Sequence, residues 1–323
     1  MKNNEGEQAA LALKTIARDL QLKACVQHSE LYPLLRRAAS RYVPAETKEE
    51  VVPIAQRFLS AGYNVSLEYI GENTETIERC RAVKDECLQL IQIAAAISTE
   101  TTISFDLSHI GLNVDRNVAY QQLSELAALA SQKQITLMIS AEEAVKTSAI
   151  LEVYRRTASD FPGVLGITLQ AQQHRSTDDL QAVMEGDGAI RLVKGAFAES
   201  RDVALQRSVE LNERYLNMIK TAAAARRRIS IATHDELILS KVEEDGLHLL
   251  PHVEIEMLHG IQPKRLKRFR EAGSKARVYI PYGEEWYLYL CHRLAEYPPN
   301  LYDAVADLVD PRRTESVADA YCV

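Results

Sequence analysis

The chain has 323 residues, 46% of them hydrophobic, which is enough material for one sizeable core. Its 38 Lys and Arg against 45 Asp and Glu give a formal net charge of −7, which argues against a nucleic-acid binder. No apolar run approaches the roughly 20 residues a membrane span needs. The polar start MKNNEGEQAALALK carries no signal-peptide core. The five cysteines, Cys25, Cys80, Cys87, Cys291 and Cys322, form no CxxC pair. Their odd number does not suit a disulfide framework, so a reducing, cytoplasmic setting is expected.

In chain order, residues 8–40 read as two or more helices, AALALKTIARDLQ and ELYPLLRRAASRYV. They are expected to form an N-terminal arm over residues 1–45, packed on the main domain. From residue 46 to about 310, eight apolar or β-branched runs recur, each succeeded by a helical pattern. They are NVSLEYIG (64–71), TTISFDLS (101–108), QITLMIS (134–140), GVLGITLQ (163–170), GAIRLVKG (188–195), RRISIATHD (227–235), HVEIEMLHG (252–260) and ARVYIPYG (276–283). Alternating β and α units imply a parallel sheet, and eight of them imply a closed (β/α)8 TIM-type barrel, an α/β fold. An open doubly wound sheet is the alternative, but no GxGxxG comes after the first strand. The basic run ARRRIS (225–230) reads as a solvated helix end. Residues 311–323 show little periodicity and read as a loosely held tail.

In such barrels the chemistry gathers where strands end and loops begin. Those positions hold Glu68, Glu72, Asp106, Ser108, His109, Ser140, Glu142, Gln170, Gln172, Arg191, Lys194, Thr233, His234, Asp235, Glu256, His259, Tyr279 and Tyr282. The helix after the eighth strand, EEWYLYLCHRLAEY, adds His292, Arg293 and Glu296 on one face. So many polar groups on one rim call for a polar ligand. Arg191 alternates inward from an apolar strand and needs an anionic or π partner. A conjugated cofactor with a phosphate tail would supply both.

RLVKGAF (191–197), ATHD (232–235), EMLHG (256–260) and RVYIPYG…WYLYLCHRLAE resemble, in order and spacing, motifs of the proline dehydrogenase family, FAD-dependent (β/α)8 barrels. RYVPAETKEEVVPIAQRFLSAGYNVSLEYIGE resembles the start of that barrel. The resemblance covers roughly residues 40–300. It implies noncovalent FAD at the rim, contacted by Gln170, Arg191, Lys194, Gly195, Ala196, Thr233 and His234. Arg191 would stabilise charge developing at the flavin's reactive edge, and Gln170 would bond the ring's pyrimidine side. Gly195, having no Cβ, would let the backbone approach a flat ring. Tyr279 and Leu258 would pack on the substrate, and Glu296 would hold Arg293.

The chain departs from the family pattern in the substrate half. The family's strand-two lysine is Asp106, its helix-eight arginine pair is His292–Arg293, a strand-three aspartate is Ser140, and a tyrosine is Phe197. Over these positions and Glu296, three cations and two acids in the family give a net of +1. Here Arg293 against Asp106 and Glu296 leaves −1. Exchanging an attractive for a repulsive charge at ~4 Å matters by several kcal/mol even at an effective dielectric of about 20. The expectation is therefore a divergent member that oxidises L-proline poorly or not at all. It would act instead on a C–N or N–O centre of a modified amino acid that is cationic, guanidino or N-hydroxylated. By analogy, a place in natural-product biosynthesis is expected. The alternatives are a true L-proline dehydrogenase, or a flavin-free metal-dependent or ligand-binding barrel drawing on Asp106, His109, His174, His234, Glu256, His259 and His292. The partner is thus a small amino-acid-derived molecule, with neither nucleic acid nor a membrane span. Oligomeric state stays open.

Overall fold

A computed structural model describes residues 2–71, 74–296 and 299–322; Glu72 and the Cys322 side chain fall outside the described set. Eight strands form in the expected order: β1 (Asn64–Tyr69), β2 (Thr101–Phe105), β3 (Thr136–Ile139), β4 (Leu165–Gln170), β5 (Ala189–Val193), β6 (Ile229–Ala232), β7 (Val253–Leu258) and β8 (Lys275–Tyr282). Each pairs in parallel with the next, and β8 closes on β1 with Val65 beside Val278. The fold is a (β/α)8 barrel.

Four helices precede it, α1 (Lys2–Arg18), α2 (Leu20–Gln27), α3 (Tyr32–Ser40) and α4 (Lys48–Ser60). The crossovers are α5 (Ile77–Ile97), α6 (Arg116–Lys133), α7 (Thr147–Asp160), α8 (Ser176–Met184), α9 (Val209–Ala224), α10 (Glu236–Glu244) and α11 (Pro263–Glu271). After β8 come α12 (Trp286–Glu296), α13 (Pro299–Val309), α14 (Pro311–Glu315) and α15 (Asp319–Cys322). Capping fixes where several begin: the Thr47, Ser208 and Asp235 side chains accept from the first-turn amides of α4, α9 and α10. Among the described residues, no helix is long and apolar enough to cross a membrane.

The period-two alternation of the strands divides their residues between two environments. Leu67, Ile103, Ile139, Ile167, Leu192, Ile231, Ile255 and Ile280 form one fully buried cluster with residues of the surrounding helices. Burying each contributes on the order of 1.5–3 kcal/mol. Many of the intervening positions face one another across the barrel and are polar, although Met138 on β3 is not. Arg191 on β5 reaches Ser66 on β1 and Ser104 on β2, contacts possible only through the interior. Nearer the amino-terminal ends, Arg277 on β8 bonds Glu254 on β7 at 2.7 Å and Thr102 on β2 at 2.9 Å. The barrel is filled by ion pairs and hydroxyls where many such barrels hold aliphatic layers.

The arm packs chiefly on α12 and α13. Ala17, Ala38, Ala39, Tyr42 and Val43 form a second core with Trp286, Leu290, Leu294 and Ala304. Arg41 locks this layer through Asp307, which is fully buried, at 2.8 Å from Nη2 to Oδ1. The arm thereby fixes α12, the helix that carries His292 and Arg293. The residues expected to form a loose tail are docked. Tyr321 is fully buried against Phe58 and Tyr63, and its hydroxyl accepts from the Gly260 amide at 3.0 Å. Cys80 and Cys87 are buried and unpaired, as their helical spacing suggests.

Candidate active site

Arg191 is held firmly inside the barrel. Its Nε and Nη2 donate to the two carboxylate oxygens of Glu256 at 2.9 and 2.8 Å, and Nη2 also donates to Ser104 at 2.9 Å. Its guanidinium carbon lies 5.0 Å from the centre of the Tyr279 ring. The anionic and π partners expected from a cofactor are therefore supplied by the chain itself. Burial disfavours both charges, yet Arg191 and its hydrogen bonds hold the Glu256 carboxyl below the ordinary range, so the pair is ionised.

An acidic patch occupies the rim over β1–β3. Asp106 comes directly after β2 and lies near Glu68 and Glu142. Burial, then the Glu142 and Glu68 charges, push its carboxyl well above the ordinary range. Ser140 donates to Glu68 at 3.1 Å. The Ser108 amide and the Lys146 ammonium bind Glu142 at 3.0 and 2.8 Å. The His109 ring stands 3.8 Å from Asp106, and burial lowers its pKa, which keeps it neutral.

The β4–β6 side carries the residues expected at a cofactor. Gln170 donates to the Glu142 carbonyl at 2.8 Å, while its buried Oε1 has no protein partner. Gly195 has φ +111°, and a Cβ there would fall 2.4 Å from the Gln172 side chain, so only glycine fits. The next two residues, Ala196 and Phe197, are exposed and half-buried; the Phe197 carbonyl accepts from Gln172 at 3.1 Å. Lys194 turns away from the barrel axis to Asn212 on α9, at 2.6 Å, and to Asp235. Its ammonium is thus bonded within the protein. Thr233 is buried and accepts from the Asp235 amide at 3.1 Å. His234 accepts from the Leu258 amide at 3.0 Å; burial, then the Arg293 charge, pull its pKa down to about 3. It is a neutral acceptor that pins β6 to β7 and sets the half-buried Leu258.

α12 supplies the remaining wall. Arg293 donates to Glu296 at 2.5 Å, as expected of the i,i+3 pair, and lies 5.0 Å from the Tyr289 ring. Burial opposes its charge, but Glu296, Tyr289 and Tyr279 outweigh it. Its buried Nε has no partner. His292, half-buried, also interacts within the protein. Burial, then Glu68, push the Tyr279 phenol well above its ordinary range, linking this wall to the acidic patch. Tyr289 is not among the positions that strand ends mark. Its signal is the spacing to Arg293, four residues on along one helix face. Glu256 stands out in the sequence as a rim residue and a candidate ligand, not as the partner of Arg191. Its further signal is the charge alternation of Glu254 and Glu256 within an otherwise apolar strand, matched by Arg191 and Arg277 on others.

The residues fit a flavin better than a metal. Gln170 Oε1 and Arg293 Nε are buried and unpartnered. Among the described residues, no three His, Cys, Asp or Glu side chains gather in a way that could hold a metal ion.

Comparison with known proteins bears on the family. Residues 52–300 match the sequence profile of the proline dehydrogenase family. Proline dehydrogenase 1 of Bacillus subtilis (strain 168) is 30% identical over 268 residues, 82% of this chain and 88% of that protein. Proline dehydrogenase of Deinococcus radiodurans is 28% identical over 272 residues, 81% and 87% of the two chains. The crystal structure of proline utilization A from Bdellovibrio bacteriovorus, inactivated by N-propargylglycine, superposes with a TM-score of 0.74 at 18% identity. A mutant of Bradyrhizobium japonicum proline utilization A gives 0.69 at 21%. The chain covers only 37% and 33% of those two longer proteins, so their likeness is one of fold. With a profile match that runs from α4 into α13 and takes in the whole barrel mouth, the chain belongs to the proline dehydrogenase family.

Proposed function

We propose that the protein is an FAD-dependent oxidoreductase of the proline dehydrogenase type, with L-proline as its substrate. The observation that carries this reading is the family match across residues 52–300, which spans the whole barrel mouth. FAD would be held by Gln170, Arg191, Gly195, Ala196, Thr233 and His234, and when bound it supplies a two-electron acceptor for hydride. Tyr279, Leu258 and Tyr289 would enclose the substrate ring and exclude water. Arg293, set by Glu296, is the cation that would meet a carboxylate. Tyr279 stays protonated at neutral pH and so acts as a hydrogen-bond donor and a wall. Ser140, Phe197 and His292 would complete the lining.

The acidic patch bears on affinity. Asp106 and Glu68 repel a carboxylate on that side, Glu142 being paired with Lys146, so proline is held weakly and a high KM results. The same observation favours a second reading: a substrate with a cationic, guanidino or N-hydroxylated group directed at Asp106. The relatives are named for proline, and nothing in the comparisons supports a natural-product role, so proline stands as the better-supported substrate. Anaerobic mixing of the FAD-loaded protein with L-proline, and separately with arginine-like amino acids, tests the choice. Loss of the flavin's visible absorption with proline supports the first reading; loss only with the cationic compounds replaces it by the second.

A further inference from the structure

Both Arg–Glu pairs inside the barrel are buried, but they use their donors differently. In the deeper pair, Arg277 Nε binds Glu254 at 2.7 Å while Nη1 donates to the Val65 carbonyl at 2.7 Å, the Glu100 carbonyl at 3.1 Å and Thr102 at 2.9 Å. That guanidinium is anchored on both of its edges. In the pair nearer the rim, one edge of Arg191, Nε and Nη2, is spent on Glu256, Ser104 and Ser66. Among the described residues, Arg191 Nη1 makes no hydrogen bond. The Glu256 carboxylate is saturated: Oε1 accepts from Arg191 Nη2 at 2.8 Å and Ser66 at 3.0 Å, and Oε2 from Arg191 Nε at 2.9 Å and from Ser230. Glu256 is 2% exposed, so solvent does little to screen the charge it sets against Arg191.

We propose that Glu256 is a positioning residue that fixes Arg191 in one orientation and cancels its charge at the flavin site. Arg191 keeps an unspent Nη1 toward the cofactor while adding little net positive charge. The inference rests on the flavin reading of the proposed function. Its consequence is a lower reduction potential than a lone buried arginine would set, because negative charge gained on reduction meets a dipole in place of a cation. Glu254, in the deeper pair, has no such part and serves the barrel alone.

The test is a dye-equilibrated measurement of the flavin midpoint potential in the full chain loaded with FAD, with sulfite titration as a second reporter of positive charge. Glu256→Gln keeps the side chain's shape and removes its charge. It should shift the reduction equilibrium at least tenfold toward the reduced form, about 30 mV for a two-electron couple, and tighten sulfite binding by a similar factor. Glu254→Gln should lower the melting temperature and leave both readouts within about twofold of wild type. If Glu256→Gln does not fold, Glu256→Met, matched in volume, carries the same expectation. A midpoint and sulfite affinity unchanged in the Glu256 variant, or an equal shift in Glu254→Gln, overturns the role of Glu256 while the flavin reading stands. A wild-type chain that takes up no FAD overturns both.

Discussion

Arg191→Met removes the guanidinium from a carboxylate that the barrel keeps dry. Glu256 would keep its bonds from Ser66 and Ser230 and lose the two from Arg191 at 2.8 and 2.9 Å. Breaking a buried pair by deleting one partner costs about 3–5 kcal/mol, because an uncompensated charge stays behind. The pH dependence comes from the two states of Glu256. In the wild type its folded pKa lies below the ordinary 4.5. Its contribution is therefore present above that value and is lost as pH falls through the lower, folded value. In the variant burial outweighs the Arg277 charge and the serine bonds that remain and raises the folded pKa, so the penalty is full at alkaline pH and fades as the pH falls toward the unfolded value. Denaturant unfolding monitored by circular dichroism should show the full loss at about pH 8 and a clearly smaller one at about pH 5. A loss under about 1 kcal/mol at the alkaline pH, or an equal loss at both, would refute the reasoning.

The other predictions concern the rim, the glycine turn beside it, and the docked chain end. Asp106→Asn removes one repulsive charge from the carboxylate side, and steady-state kinetics at mildly alkaline pH should show KM for L-proline falling about tenfold or more, with kcat little changed. Because the Asp106 carboxyl is raised, the wild-type KM should also fall as the pH is lowered, and the variant should lose that dependence. Gly195→Ala drives a Cβ into Gln172 at a φ of +111°, and should cost about 2–4 kcal/mol in thermal or chemical unfolding and weaken FAD retention. Tyr321→Ala empties a fully buried site against Phe58 and Tyr63 and should cost about 3–5 kcal/mol by the same assay. His234 and His259 have folded pKa values of about 3 and 4, below the ordinary 6.5. The unfolded chain binds those protons first, so stability is whole above the ordinary value and falls below it, by up to about 1.4 kcal/mol per pH unit for each histidine.

The fold is legible in the sequence because the strand signal is local: seven of the eight apolar runs contain their strand, and the eighth begins one residue inside β8. The barrel interior is less so. Arg191 reads correctly as an inward group in need of partners, but those partners, Glu256, Ser66, Ser104 and Tyr279, lie on four other strands. Single-sequence periodicity says which face a residue takes and nothing about the residue opposite. Lys194 shows the same gap, since it stands on the expected loop yet is captured by Asp235, a side chain already used to cap α10. Glu296 with Arg293 is legible because the contact is three residues apart on one helix. The docking of Tyr321 is not, because its partners come from α4 and the turn after β7, distant in sequence.

The most direct measurement of the central claim is an anaerobic titration of the purified, FAD-loaded protein with L-proline, read in the visible absorption of the flavin. The proposed function predicts that the absorption bleaches, with half-saturation at high proline concentration as the Asp106 patch requires. A chain that holds no flavin, or a bound flavin that stays oxidised at saturating proline, would contradict it.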